Sequence, residues 1–146
     1  MKNLALKKSL SILLGLATLI CCLSRASCKE DNLVIKDSDT FIVIKATQDS
    51  IGDKTDMKLI DYMQMLKADG KLEFEINNGM ITSINGYDNP ADYSKCWMLY
   101  TSDSESSSTM YGTVEYDGTE YGSAMLGAES LTVKAGETYI WVFKSF

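Results

Sequence analysis

Apolar and polar residues change their period several times along the chain. Between Lys71 and Ile76 they alternate strictly, with Leu72, Phe74 and Ile76 set against Lys71, Glu73 and Glu75. A period of two predicts a strand with one buried face. Residues 40–46 (TFIVIKA) form a β-branched run of strand length behind a turn-like Asp37-Ser38-Asp39. Residues 57–68 have a different period. Leu59, Ile60, Met63 and Leu66 fall on one helical face, with Asp56, Lys58, Asp61, Gln64 and Lys67 mostly on the other. Thr55 or Asp56 can cap this helix, and Gly70 can supply a left-handed residue at its end. It is the one helix that the pattern predicts after the N-terminal segment.

Everything after that helix reads as strand and turn. Asn77-Asn78-Gly79 marks a hairpin. A three-residue loop there pairs Ile76 with Met80, Phe74 with Thr82 and Leu72 with Ile84, keeping the larger apolar residues on one face. Residues 96–100 (CWMLY) are an unbroken apolar run, which predicts a central strand covered on both faces. Residues 102–109 (SDSESSST) have nothing to bury and read as a mobile polar surface loop. Asp117-Gly118 predicts a type I′ turn that pairs Tyr116 with Thr119 and Glu115 with Glu120. Residues 131–133 and 138–143 form a closing hairpin around Ala135-Gly136. One helix with six or seven strands predicts an α+β fold, β-grasp-like, in which a curved and mostly antiparallel sheet packs on the helix.

The first 28 residues have a different character. Three lysines precede an apolar run at 10–23, and small residues follow at Ser24, Ala26 and Ser27. This is the layout of a secretory signal peptide, cleaved after Ala26. The run of about 14 residues falls short of the ~20 that a spanning helix needs. The alternative is a lipoprotein signal that places a lipid on Cys28, the one membrane attachment the sequence suggests. Residues 29–38 then read as a short linker and residues 39–146 as the domain.

Charge narrows the partners. Of the 14 basic residues, four (Lys2, Lys7, Lys8, Arg25) lie in the acid-free first 26, so ten basic residues face 20 acidic ones in the remainder. So acidic a domain has no electrostatic footprint for nucleic acid and is repelled by anionic lipid. The chain has no histidine. That removes Ser-His-Asp and Cys-His catalysis and His-ligated zinc, and leaves Cys96 without a base to activate it. With Cys21 and Cys22 in the signal, Cys28 and Cys96 make neither a disulfide framework nor a metal cluster.

Residues 79–86 (GMITSING), 96–100 (CWMLY) and 131–139 (LTVKAGETY), with Leu59-Ile60-Asp61-Tyr62-Met63 before them, resemble a known pattern. It is that of the domain family typified by the C-terminal β-domain of transcobalamin and intrinsic factor, which includes many small exported bacterial proteins. The likeness runs over residues 39–146. It departs at Cys96, where the family has Tyr, and in the longer Ser-rich segment that follows. The resemblance implies a β-grasp-like fold and a corrinoid such as cobalamin as bound ligand, with no other cofactor.

Several residues stand out as site candidates. Trp97 matches the family's Trp and precedes the Ser-rich segment; Tyr100 and Tyr111 flank it. These three are the ligand-binding candidates, each set against an ordinary core or strand role. Ser83, Asn85 and Gly86 are motif-like but read as structural: Asn85-Gly86 as a positive-φ turn, Ser83 as a partner for a strand-end backbone group. Tyr111, Tyr116, Tyr121 and Tyr139 offer aromatic faces for a sugar or flat ring. The opposed Glu115 and Glu120 could attract a hard cation, although solvent screening relieves them equally and no metal site is assigned. Two functions are thus expected from the sequence. One is an exported, non-catalytic module for a small soluble ligand, a corrinoid among them; the other is a cell-surface domain that contacts a cell-envelope protein or glycan.

Overall fold

The computed structural model describes residues 32–36 and 39–145; the segment read as a signal, with Cys28, lies outside the described residues. Within them the strands are β1 (Leu33–Lys36), β2 (Phe41–Lys45), β3 (Phe74–Asn77), β4 (Met80–Ile84), β5 (Tyr87–Asp88), β6 (Lys95–Thr101), β7 (Ser107–Tyr116), β8 (Thr119–Ala124) and β9 (Thr138–Ser145). The helices are α1 (Gln48–Ile51) and α2 (Leu59–Ala68). One sheet runs β1-β2-β9-β6-β8-β7 and the other β3-β4-β5, with every pairing antiparallel. β1 lies in the stretch read as linker and pairs along β2.

This architecture overturns the α+β, β-grasp-like expectation of one helix on one curved sheet. The protein is mostly β, built from two antiparallel sheets with two short helices among the described residues. The reason is coverage. Ten residues of α2 make a rod about 15 Å long, while six strands about 4.8 Å apart span roughly 24 Å between the outermost. The helix shields part of that face with Leu59, Tyr62, Met63 and Leu66. The small sheet adds Phe74, Ile81 and Ile84 to the same core, and the segment before β9 adds Ala128, Leu131 and Val133.

α2 begins at Leu59 rather than Met57 because its first turn is claimed from outside. The Leu59 N–H donates to the Leu131 carbonyl at 2.9 Å and the Ile60 N–H to that of Ala128 at 3.0 Å, while the Met57 carbonyl accepts from the Val133 N–H at 2.8 Å. These bonds satisfy helix-end donors that capping residues otherwise serve. Gly70, at φ +67°, ends the helix as its position suggests. The periodicity missed α1, a single turn capped by Thr47, whose hydroxyl accepts from the Ser50 N–H.

The β3–β4 hairpin also differs from expectation. Asn78 and Gly79 both take positive φ, making a two-residue turn that pairs Asn77 with Met80 and Ile76 with Ile81. A bulge between Glu75 and Ile76 then brings Phe74 opposite Ile84. The bulge achieves what a longer turn was expected to achieve: apolar side chains stay on one face.

β2 and β6 are buried on both sides, as unbroken apolar strands should be. Ile42, Ile44, Trp97 and Leu99 face the main core. Val43, Tyr100, Ile140 and Tyr121 form a second cluster on the other face, backed by Phe41, Met98, Val114, Tyr116 and Val142. The Phe41 and Tyr116 ring centroids are 6.2 Å apart, although β2 and β7 are separated by three strands in the sheet order. The sheet therefore curls, and the β7–β8 hairpin folds over its second face.

Residues 102–109 are not a free loop. Asp103 is only 3% exposed. The Lys134 ammonium lies 2.9 Å from each of its carboxylate oxygens and 2.7 Å from Oε2 of Glu105. Burial pushes the Asp103 carboxyl up, but hydrogen bonds from Lys134, Ser106 and the Glu105 N–H, with the Lys134 charge, outweigh it and hold the group below the usual carboxylate range. The hydrogen bonds that Lys134 donates to the Asp103 and Glu105 carboxylates push its own ammonium up. Ser107 and Ser108 already belong to β7, opposite Ala124 and Ser123. Serines read as solvent-facing loop are thus pinned by an ion pair whose carboxylate is buried and by strand pairing. No helix among the described residues is long and apolar enough to cross a membrane.

Candidate functional site

The curled sheet opens at one place. β9 pairs with β6 from Lys95 to Thr101, but β8 pairs with β6 only at Tyr100 and Thr101. Toward Lys95, β6 has a strand neighbour on one side only, and the Trp97 N–H there donates to the Asn89 side-chain oxygen at 3.1 Å. The β7–β8 ladder is interrupted at the same level. Its register steps from Ser108 opposite Ser123 to Thr113 opposite Gly122, so residues 109–112 bulge out. Gly112, at φ +94°, permits the bend.

Between these features lies a cleft of about 280 Å³. Its buried wall is Trp97, Trp141, Leu99, Ile81 and Ala128, and its exposed rim is Met80, Tyr111, Met125 and Leu126. The side chains that line it are uncharged. Both tryptophans of the chain are in this wall.

Trp97 is 5% exposed. Its indole N–H donates to the Tyr87 carbonyl at 2.7 Å, and its ring lies 5.3 Å from that of Phe143. The indole is therefore fixed at both ends, with one edge left to the cleft. Tyr111 stands on the bulge at 68% exposure, free to lean over the opening. The structure thus brings together two of the three ligand candidates. It separates the third: Tyr100 is fully buried in the second cluster, on the opposite face of β6, with the Lys144 ammonium 5.2 Å from its ring centroid.

The motif residues lie apart from the cleft lining. Asn85 (φ +49°) and Gly86 (φ +83°) make the β4–β5 turn. Asn85 also ties that turn to Glu73: its side-chain oxygen accepts from the Glu73 N–H at 3.0 Å, and its own N–H donates to the Glu73 carbonyl at 2.9 Å. Ser83 is buried in β4, paired with Glu75 and Asp88.

Cys96 is half-buried, with its sulfur 3.6 Å from that of Met98. Burial pushes its thiol up, away from the thiolate that a nucleophile needs. Glu115 and Glu120 oppose each other across the Asp117-Gly118 turn, and both are exposed to solvent. Among the described residues no three His, Cys, Asp or Glu side chains gather as metal ligands.

Met80, Met125, Leu126 and Trp141 went unread in the sequence. Trp141 sits in an aromatic strand where a core role was the natural reading. Met125 and Leu126 are an apolar pair just past a strand end, with no periodicity to report them. Compared with known proteins, no family model, no curated sequence and no solved structure matches this chain, so the functional reading of the cleft rests on its own side chains.

Proposed function

We propose that the protein is an exported, non-catalytic binding module whose cleft holds a small ligand by an apolar or flat face. The observation that carries this reading is the clustering of exposed apolar side chains. Among the described residues seven large apolar side chains are exposed, and four of them (Met80, Tyr111, Met125, Leu126) rim this one cleft. Scattered exposed hydrophobes need no explanation, whereas a contiguous set around a concavity does. Methionine suits such a rim, because its flexible thioether adapts to the shape it meets. The uncharged lining favours a neutral surface on the ligand, since a buried charge there would find no partner.

Size limits the ligand. About 280 Å³ falls just below the ~300–1,000 Å³ range of small-molecule sites. The cleft encloses one ring or one edge of a larger planar molecule. A corrinoid, the ligand class implied by the resemblance to the transcobalamin β-domain, would lie across the rim rather than enter it. The export reading rests on the charge and hydropathy pattern of residues 1–28.

Isothermal titration with cobalamin and cobinamide tests the proposal. Saturable heat is expected, and Leu126→Glu, a change at an exposed rim position, should abolish it without lowering the melting temperature. No heat up to about 100 μM ligand, a concentration that detects binding of roughly −5 to −6 kcal/mol or tighter, would contradict the corrinoid reading.

A further inference from the structure

We propose that a second site, at the mouth of the curled sheet, binds one ring of a neutral carbohydrate. It is a pocket of about 220 Å³ that shares no lining residue with the apolar cleft. Three segments meet there: the end of β2, the tip of the β7–β8 hairpin and the chain entering β9. They meet because the sheet curls and carries the hairpin tip toward β2. The open ends of closed or curled sheets are recurrent ligand sites.

The chemistry of the pocket differs from that of the cleft. One side carries two tyrosines, the half-buried Tyr116 and the largely buried Tyr121, with ring centroids 6.4 Å apart and planes at 53°. Polar residues complete the lining: Asp117, Glu137, Lys45 and Thr119. A sugar hydroxyl both donates and accepts, so it needs acceptors and donors close together, and this pocket supplies both. The C–H face of a sugar ring packs on an aromatic face, and Tyr offers that face beside a polar tip.

Other ligand classes fit less well. An anion would meet two carboxylates against one ammonium. An apolar ligand would take those polar groups out of water with nothing to offer them. A calcium ion needs six to eight oxygen ligands and would have the ammonium as a neighbour. The volume takes a single ring, not an enclosed chain.

The polar groups are held in place before any ligand arrives. The Glu137 carboxylate accepts from the Ser102 hydroxyl, whose oxygen accepts from the Thr138 N–H at 2.9 Å. The Glu137 carbonyl accepts from the Ala46 N–H at 3.0 Å, and the Gly136 N–H donates to the Ala46 carbonyl at 2.7 Å. Asp117 is set by its turn, at φ +52° followed by Gly118 at φ +72°. Such preorganisation lowers the ordering cost of binding.

The test is a titration of the ¹⁵N-labelled full chain with the methyl glycosides of glucose, galactose, mannose and N-acetylglucosamine, followed by amide chemical shifts. At least one glycoside should shift the amides of residues 116–121 and 136–138 saturably, with a Kd of about 1–10 mM, as the few contacts of one ring allow. Asp117→Asn keeps a residue that tolerates the left-handed turn and should weaken binding about tenfold by removing charged acceptors. Thr119→Ala, at an exposed position, should weaken it severalfold. The proposal is overturned if no glycoside shifts these amides, if glycerol at equal concentration shifts them equally, or if neither variant changes the Kd.

Discussion

Replacing Trp97 by alanine should cost about 3–5 kcal/mol of stability. The figure follows from the site. A tryptophan buries about 150–250 Å², and Trp97 is 95% out of water by its 5% exposure. At about 25 cal/mol per Å² that is roughly 4–6 kcal/mol. The alanine methyl retains part of it, and the compact denatured chain lowers the total further. The variant also loses the 5.3 Å ring contact with Phe143 and leaves the Tyr87 carbonyl without its 2.7 Å donor. Against a total stability of about 5–15 kcal/mol, the chain should still fold, with a melting temperature lower by about 15–25 °C. Urea unfolding followed by far-ultraviolet circular dichroism measures this without relying on the fluorescence of the residue removed. Trp97→Phe, which keeps a ring against Phe143 but has no N–H for Tyr87, should lose only about 1–2 kcal/mol. A loss below about 1 kcal/mol for Trp97→Ala would refute the reasoning, because the indole would then lie outside the core and the cleft would have no fixed wall.

Three further outcomes follow from the structure. Asp103 has its folded pKa below the unfolded value of about 3.9, so its contribution is present above about pH 4 and disappears as the pH falls through the folded value; Asp103→Asn should lower the melting temperature at pH 7 and flatten its fall between about pH 5 and 2, and an unchanged acid limb would count against the Lys134 ion pair. Deleting residues 104–108 should destabilise the protein by at least about 2 kcal/mol, because it removes the Ser107 and Ser108 pairings with β8, the bond from the Met125 N–H to the Ser106 carbonyl and the bond from the Ser123 hydroxyl to the Ser108 carbonyl; wild-type urea unfolding of the deletion would show that the segment is a spacer. Met110→Ser, at the most exposed large apolar side chain among the described residues, should change stability by less than about 0.5 kcal/mol, and a larger thermal shift would mean that the bulge packs against something.

Local signals were legible in the sequence, and long-range ones were not. The Asp117-Gly118 turn and its register follow from two residues that accept positive φ, and the α2 periodicity finds three of its four buried side chains, Leu59, Met63 and Leu66, but not Tyr62, while Ile60 is half-buried. The burial of 96–100 on both faces follows from an unbroken apolar run. What failed was the assignment of strands to sheets. Alternation in β3 shows that one face is buried, but not that β3–β5 form a separate sheet that shares the cover of the core with α2. The serines of 102–109 look solvent-facing because nothing local announces that Lys134, some thirty residues later, reaches back to Asp103. The cleft was half legible. Trp97 and Tyr111 drew notice as aromatics beside a polar stretch, whereas Met80, Met125 and Leu126 reach it only through the hairpin turn and the loop after β8.

The central claim is that the cleft, rather than another surface, takes the ligand. Methyl NMR of the methionines during a cobinamide titration tests it most directly. Met80 and Met125 rim the cleft, while Met57 and Met63 are buried in the main core away from its lining and Met98 packs on the opposite face of β6. Saturable shifts at Met80 and Met125, with Met57 and Met63 unmoved, are the predicted result. Saturable binding that leaves the methyls of Met80 and Met125 unshifted would contradict it.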